Sequence, residues 1–431
     1  MRIGILPNTN RASGGVYQYS QSMLRALHEW KEAGCEDEFV VFTSSLQPPW
    51  HSSNGYHWEV KALKIEEPPE SRQTMNTLRS IVGEGPHREL WRWLRKAARP
   101  ANTYKPKSRT GVTAQLKDSG VELMLYPEPD SIPFETDVPY VMAIHDLQHR
   151  LHPEFPEVSA NGEWDWREYV FRNGARYGTL LLADSEVGKE DILNFYGPYG
   201  VTPDRVKVLP FIPASYLVPD VPETEQQRVR KLYQLPDRYL FYPAQFWPHK
   251  NHKRLVQALG LLKEKRGLEI AIAFCGSYTG EIRADIFQEV KSIAARMRID
   301  KQLHYLGYVP DEDMSGIYAG AVALTMPTFF GPTNIPVVEA WAFGCPVLTS
   351  DIRGIREQAR GAAMLVDPTS VESIADGIYQ LCTNDSLSKK LIAGGRERLT
   401  AYTPADYKQK LIGIIEEAKG RLEHGTRRAN R

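Results

Sequence analysis

The sequence predicts two doubly wound, parallel α/β domains of the Rossmann-like kind, in tandem and facing a cleft. Three observations carry this expectation. Short continuous apolar runs alternate with helical stretches, the pattern of parallel strands covered on both faces. The alternation breaks at a proline-rich stretch and then restarts. The length, 431 residues, suits two domains at ~100–200 residues each. With 42% hydrophobic and 25% charged residues, the composition excludes a disordered or fibrous chain.

Taken in order, the first domain (1–210) opens on the strand RIGIL at 2–6. A loop holding Gly14 and Gly15 leads into a helix, VYQYSQSMLRALHEW. Further strands are expected at 38–43, 121–126, 140–144, 179–183 and 206–209. Pro210, Pro213, Pro219 and Pro222 then crowd together before the polar run ETEQQR, so 211–236 reads as an irregular, Pro-rich linker. The second domain (237–402) repeats the alternation, with strands at 239–244, 269–276, 303–309, 321–327, 346–350 and 363–367. Helices are expected from about Asn251, at 281–298, at 311–319 and from about Ile335, and two helices close the chain.

Several function classes are disfavoured. The apolar run AVALTM at 321–326 is far short of the ~20 residues that span a bilayer. The start, MRIGILPNTN, turns polar too soon for a secretory signal. Cys35, Cys275, Cys345 and Cys382 lie far apart, which speaks against a disulfide framework or a zinc site and fits a cytoplasmic protein. A net charge of zero speaks against a general nucleic-acid binder.

Five stretches hold residues that suit chemistry. Gly14 and Gly15 let backbone approach a ligand, and the helix that follows offers free N–H groups to an anion; the alternative is a tight turn. His145 and Asp146 end an apolar strand, where a histidine can donate to a phosphate or sugar hydroxyl and an aspartate can hold a hydroxyl or orient the ring. His149 and His152 lie nearby without the spacing of a known metal cluster. Lys250 sits between a strand and a helix, a good point-charge partner for a diphosphate. In TFFGPTNIPVVEAWAFGCPVLTS (328–350), the amides of Thr333, Asn334 and Ile335 can converge on an anion, with Pro336 in the first helical turn. Glu339 follows on an otherwise apolar helix. A lone carboxylate there is costly without partners, and a ribose diol offers two hydroxyl donors. Asp311, Glu312 and Asp313 read as helix capping and dipole compensation.

At these residues the chain resembles glycosyltransferase family 4, of the GT-B architecture. The glycine loop, IHDLQHRLHPEF, ADSEVGKEDI, PHKN, LGYVP and VVEAWAFGCPVLTS occur in the family's order over nearly the whole chain. The resemblance implies transfer of a hexose from a nucleotide diphosphate sugar, with retained configuration, no cofactor and no essential metal. It implies donor nucleotide on the second domain, acceptor on the first, and a last helix (403–431) returning to the first domain. Two positions depart from the family. Gly331 stands where the first of two glutamates is usual, so sugar recognition falls to Asn334, Thr333 and backbone groups. Gln245 stands where a phosphate-binding arginine is usual, leaving Lys250 to carry more of the diphosphate charge.

With no carboxylate announcing itself as a nucleophile, the expected route is front-face attack, the donor phosphate taking the acceptor's proton. Backbone near Val309 can read either guanine or uracil; the resemblance inclines to GDP-mannose or a related GDP-sugar over a UDP-sugar, in polysaccharide or O-antigen assembly. The expected acceptor is a saccharide or a lipid-linked saccharide. Segment 87–109 carries eight basic residues and one acid, with Leu90, Trp91, Leu94, Ala97 and Ala98 on one helical face. It suits peripheral contact with the inner face of a membrane, or equally a surface helix packed on the sheet. Rival readings are a sugar-nucleotide epimerase of the same architecture and a catalytically silent nucleotide-sugar binding module. A nicotinamide oxidoreductase lacks its glycine fingerprint.

Overall fold

The structure is a computed structural model, and it describes residues 1–44, 59–65, 104–217 and 220–429. The first domain is a seven-stranded sheet. Its strands are β1 (Arg2–Ile5), β2 (Glu38–Thr43), β3 (Glu59–Ala62), β4 (Leu123–Tyr126), β5 (Tyr140–Ala143), β6 (Leu180–Ala183) and β7 (Val206–Val208). They run in the order β3-β2-β1-β4-β5-β6-β7, every pair parallel. Strand side chains alternate between faces. Leu123 and Leu125 join Ile3, Ile5 and Leu182 in one core, while Met124 and Tyr126 join Phe42, Tyr140 and Met142 in the other. β3 escapes the apolar-run criterion because EVKA is a half-exposed edge strand.

The second domain holds β8 (Tyr239–Pro243), β9 (Ala271–Cys275), β10 (Leu303–Gly307), β11 (Ala323–Met326), β12 (Val347–Ser350) and β13 (Met364–Val366). This six-stranded sheet is also parallel, in the order β10-β9-β8-β11-β12-β13. Three helices follow β13, at Val371–Thr383, Asp385–Ala401 and Pro404–Ala429, one more than the sequence suggests.

The linker expectation needs correction. The polar run is not irregular: Glu223–Leu232 is a helix. Its one buried side chain, Val229, packs so tightly on the helix Asp311–Gly320 that a methyl group at Gly316 would come within 2.7 Å of it. Arg228 and Tyr233 both bond Asp313, the latter at 2.7 Å. The proline crowding misleads because Pro222 is the cap of this helix rather than a break in a loop. The crossing between domains lies earlier: Ile212 belongs to the first domain's core, and Ala214 and Leu217 to the second's.

The chain then crosses back. Tyr407, Leu411, Ile414, Ile415 and Ala418 of the last helix join Ile3, Ile5, Tyr19 and Leu27 in the first domain's core. Lys408 and Lys419 pair with Glu29 and Asp37 at 3.0 and 2.6 Å.

Candidate active site

In open parallel sheets, ligands bind where the strand order reverses, at the carboxyl ends of the strands. The first sheet reverses at β1, whose outgoing loop is 6–14. The second reverses between β8 and β11, whose outgoing loops are 244–250 and 327–334. Of the residues singled out above, these three loops carry Gly14, Gln245, Lys250, Thr333 and Asn334.

Gly14 takes φ 61° and caps the helix Gly15–Glu32 without any side-chain cap, so the first amides of that helix have no capping side chain. A side chain at Gly14 would meet a backbone conformation that favours glycine. Gly15 approaches the opposite domain: a methyl group there would lie 3.4 Å from Ile335 Cδ1. The glycine loop and the start of the helix Ile335–Ala342 therefore face each other across the cleft. Beside them, Arg11 reaches Tyr17, Tyr308 and Asp311, the last two on the second domain.

Lys250 is half-buried at the end of the β8 loop. Burial pulls its ammonium pKa down to about 8, against the opposing pull of Asp146 and Glu157. Its ammonium makes no hydrogen bond or ion pair to a described residue. Its neighbour His249 spans the cleft, with its amide and its Nδ1 on Glu157 Oε1 at 3.1 and 2.6 Å. Burial holds His249 neutral, with a pKa of about 4, so Nδ1–H donates to the carboxylate. The other oxygen, Glu157 Oε2, is buried and takes no hydrogen bond. The His249 carbonyl accepts from the Phe329 amide (2.7 Å) and from Thr328 Oγ1 (3.1 Å), which knits the β8 and β11 loops together.

Gln245 lies on the same turn as Lys250. Its Oε1 accepts from Arg283 Nη1 at 2.6 Å. Arg283 also stacks on Trp247, with its guanidinium carbon 4.6 Å from the ring centroid.

In the 328–339 stretch the structure alters the expected donors. The Asn334 amide is already taken by Gln358 Oε1 at 3.0 Å, and Gln358 Nε2 returns a bond to the Asn334 carbonyl at 2.8 Å. Three free amides are thus reduced to those of Thr333 and Ile335. In exchange, Thr333 Oγ1 and Asn334 Nδ2 are buried without a hydrogen-bond partner, an arrangement that is costly until a ligand group fills it. Glu339 is 4% exposed. Its Oε2 accepts from Tyr318 at 2.7 Å. Burial raises its pKa to about 7, with Tyr318 opposing and Asp311 adding.

His145 departs most from expectation. Its Nδ1 faces Asp184 Oδ1 at 3.1 Å and its Nε2 faces the Pro127 carbonyl at 2.7 Å. Both nitrogens point at acceptors, so the ring is an imidazolium with no N–H left for a phosphate or a sugar hydroxyl. Burial opposes this charge, but Asp184 and the Pro127 carbonyl outweigh it and hold the pKa at about 8. Asp146 stays open to a ligand, 32% exposed, with Oδ1 accepting from the Gln148 amide (3.0 Å) and near Arg167 (3.4 Å). The Val309 amide faces the Cys275 thiol beside Glu339.

Other candidates resolve into structure. His149 is buried against Glu168 at 3.4 Å, and His152 pairs with Glu154 at 2.9 Å. Pro310, not Asp311, caps the helix Asp311–Gly320. Among the described residues no group of three His, Cys, Asp or Glu side chains could hold a metal ion. No helix among them is long and apolar enough to cross a membrane. Of the basic segment, 87–103 lies outside the described residues, including Leu90, Trp91, Leu94, Ala97 and Ala98.

Two groups in this cleft, Glu157 and Arg283, escape sequence reasoning. Glu157 sits in PEFPEVS and Arg283 in the first turn of an ordinary amphipathic helix, so only the packing of loops from different strands exposes their role. More contacts hold the domains together: Glu357 accepts the amides of Glu186 and Val187, each at 3.0 Å, and Arg353 bonds Asp191 at 2.6 Å.

Residues 223–398 match the family model described as glycosyl transferases group 1. The chain is 29% identical over 257 residues to O-antigen chain mannosyltransferase B of Escherichia coli, covering 59% of this chain and 64% of that protein. It matches 31% and 30% of the length of two longer serotype-specific mannosyltransferases from the same organism. So the match spans less than two thirds of each of these relatives. Among solved structures, a glycosyltransferase from Rickettsia africae aligns with TM-score 0.67 at 13% identity, over 97% of this chain and 98% of that one. HepE of Anabaena, in complex with UDP and glucose, aligns with TM-score 0.67 at 14% identity, over 97% and 100%. The fold is that of GT-B glycosyltransferases: two Rossmann-like domains with parallel sheets across a cleft.

Proposed function

We propose that this protein is a retaining hexosyltransferase, moving a sugar from a nucleotide diphosphate donor to a saccharide or lipid-linked saccharide acceptor. The observation that carries this reading is Lys250. Among the described residues it is a half-buried cation without an ion-pair partner, at the second sheet's switch point, and the adjoining loop of that switch point leads into the Ile335 helix, which the glycine-loop helix meets. That environment suits a diphosphate. Glu339, a buried carboxylate with one oxygen on Tyr318, then suits the ribose hydroxyls. The similarity to an O-antigen chain mannosyltransferase supports mannose and a place in polysaccharide assembly, and the proposed donor is a GDP-sugar.

In the proposed reaction the bond from the anomeric carbon to the phosphate oxygen breaks, and the acceptor oxygen bonds to that carbon on the same face. The acceptor's proton passes to the departing phosphate oxygen, without an essential metal. Lys250 and the amides of Gly15 and Ile335 stabilise the growing negative charge, and preorganised donors of this kind are usually the largest catalytic contribution. His145 supports the site through its fixed positive charge rather than through a donated hydrogen bond. Asp146 faces the acceptor side.

A thermal-shift screen against GDP, UDP and ADP tests the donor assignment, since a ligand at 100 times its Kd stabilises by ~2.7 kcal/mol. Incubation with GDP-mannose and a mannose-terminated acceptor tests the reaction. A new glycoside supports transfer, whereas an epimerised donor or an untouched one refutes it. Trapping of a glycosyl-enzyme by mass spectrometry would sink the front-face route alone.

A further inference from the structure

The β8 turn holds a second cation that the sequence does not advertise. Arg283, from the helix Glu281–Met297, donates Nη1 to Gln245 Oε1 at 2.6 Å and sits over the Trp247 ring. The turn itself is tight: the Trp247 amide bonds the Gln245 carbonyl at 2.8 Å, and the Lys250 amide bonds the Trp247 carbonyl at 2.9 Å. Gln245 is neutral, so its bond leaves the guanidinium charge uncompensated. Among the described residues Arg283 makes no ion pair, and neither does Lys250. Only one of the five guanidinium N–H groups is engaged by a described residue. Gln245, on the turn that carries Lys250, therefore brings a second cation to the same loop.

The Trp247 ring, 4.6 Å from the guanidinium carbon, and the bond to Gln245 hold the guanidinium at two points. A planar fork held in this way is prepared for oxygens of a phosphate group. We propose that Arg283 supplies the second positive charge of the diphosphate site, with Gln245 as the hydrogen-bonding bracket that holds it there. The proposal rests on the hexosyltransferase reading and deepens it: Gln245 does not leave the diphosphate short of a charge, because the charge arrives from the neighbouring strand's helix.

The test measures binding by calorimetry to the full-length protein. GDP and UDP are the diphosphate probes, and guanosine and uridine are the probes without phosphate. Arg283→Gln should weaken the better diphosphate about 10- to 100-fold, the loss expected for a charge-assisted bond, and leave the matching nucleoside within about twofold. Arg283→Lys, which keeps charge but loses the fork, should fall between the two. The exchange Gln245→Arg with Arg283→Gln should recover most of the lost affinity. Unchanged diphosphate affinity in Arg283→Gln, with wild type binding normally, overturns the role of Arg283 alone. Equal losses for nucleoside and diphosphate also overturn it, since they mean a disturbed loop. If wild type binds none of the four probes and no ADP either, the hexosyltransferase reading fails and this proposal with it.

Discussion

Gly331 and Asn334 share one space. A side chain on Gly331 would place its first carbon 3.1 Å from both terminal atoms of the Asn334 amide. Gly331 also takes φ 141°, a conformation that L side chains rarely adopt. A side chain at position 331 and the Asn334 amide as it stands therefore compete for the same room.

Gly331→Glu should accordingly not restore a sugar-binding carboxylate. The substitution forces a strained backbone, at a cost of about 1–3 kcal/mol, and displaces the Asn334 amide. A lower thermal midpoint without any gain in donor affinity is the expected result. A variant as stable as wild type that binds donor more tightly would show that the loop rearranges freely.

Lys250→Ala should lower turnover by about two to three orders of magnitude, the range for losing one donor to a developing anion. The Michaelis constant for donor should rise as well, because the charge also meets the ground-state diphosphate. Steady-state kinetics settle this: near-normal turnover would leave Arg283 and the amides of Thr333 and Ile335 to carry the leaving group.

Glu339 and Lys250 together predict a narrow pH optimum for donor capture. Glu339 has a pKa raised to about 7, so its carboxylate forms, and ribose binding improves, as pH rises through that value. Lys250 has a pKa lowered to about 8, so its charge, and diphosphate binding, are lost as pH rises further. The profile of kcat/KM should be a bell between these limits. Glu339→Gln should remove the acid limb and raise the donor Michaelis constant more than it lowers turnover, since ribose does not react. Tyr318→Phe should move the acid limb to higher pH, because a hydrogen bond favouring the carboxylate is gone. An acid limb that persists in Glu339→Gln would assign it to another group.

Asp184→Asn tests the imidazolium of His145. With a folded pKa of about 8 against the ordinary 6.5, His145 contributes stability that is full below pH 6.5 and lost as pH rises through 8. The substitution should remove that slope and cost about 3–5 kcal/mol at pH 6, the loss for half of a buried pair. Urea titrations at pH 6 and pH 9 read both effects; a slope that survives would mean that Asp184 does not set the charge.

The strands were legible because each parallel strand is a run of buried apolar residues with no competing period. Glu339 stood out for the same reason, as a carboxylate among apolar neighbours. Relations between loops were not legible. The Gln358 side chain that consumes the Asn334 amide, the Asp184 that fixes His145, and the Arg283 that meets Gln245 all come from segments distant in sequence. A helix with one buried residue in ten, Glu223–Leu232, carries too little apolar signal to separate from a linker, and its hold on the domain comes from Asp313. Such partners are chosen by sheet order, and sheet order is not written in any one segment.

The chain passes between the domains twice, near Ile212 and again before Tyr407, and ends on the body where it began. One crossing would act as a ball joint, free to bend and to twist. Two crossings act as the pins of a door. Relative motion is confined to a swing about the line that joins them, and torsion is suppressed. The contacts that join the two domains directly, Arg353 with Asp191 and Glu357 with the Glu186 amide, must part for that swing to open and so work as the bolt. Fluorophore pairs placed at two different distances from the pins should report openings in a constant ratio, whatever ligand drives them.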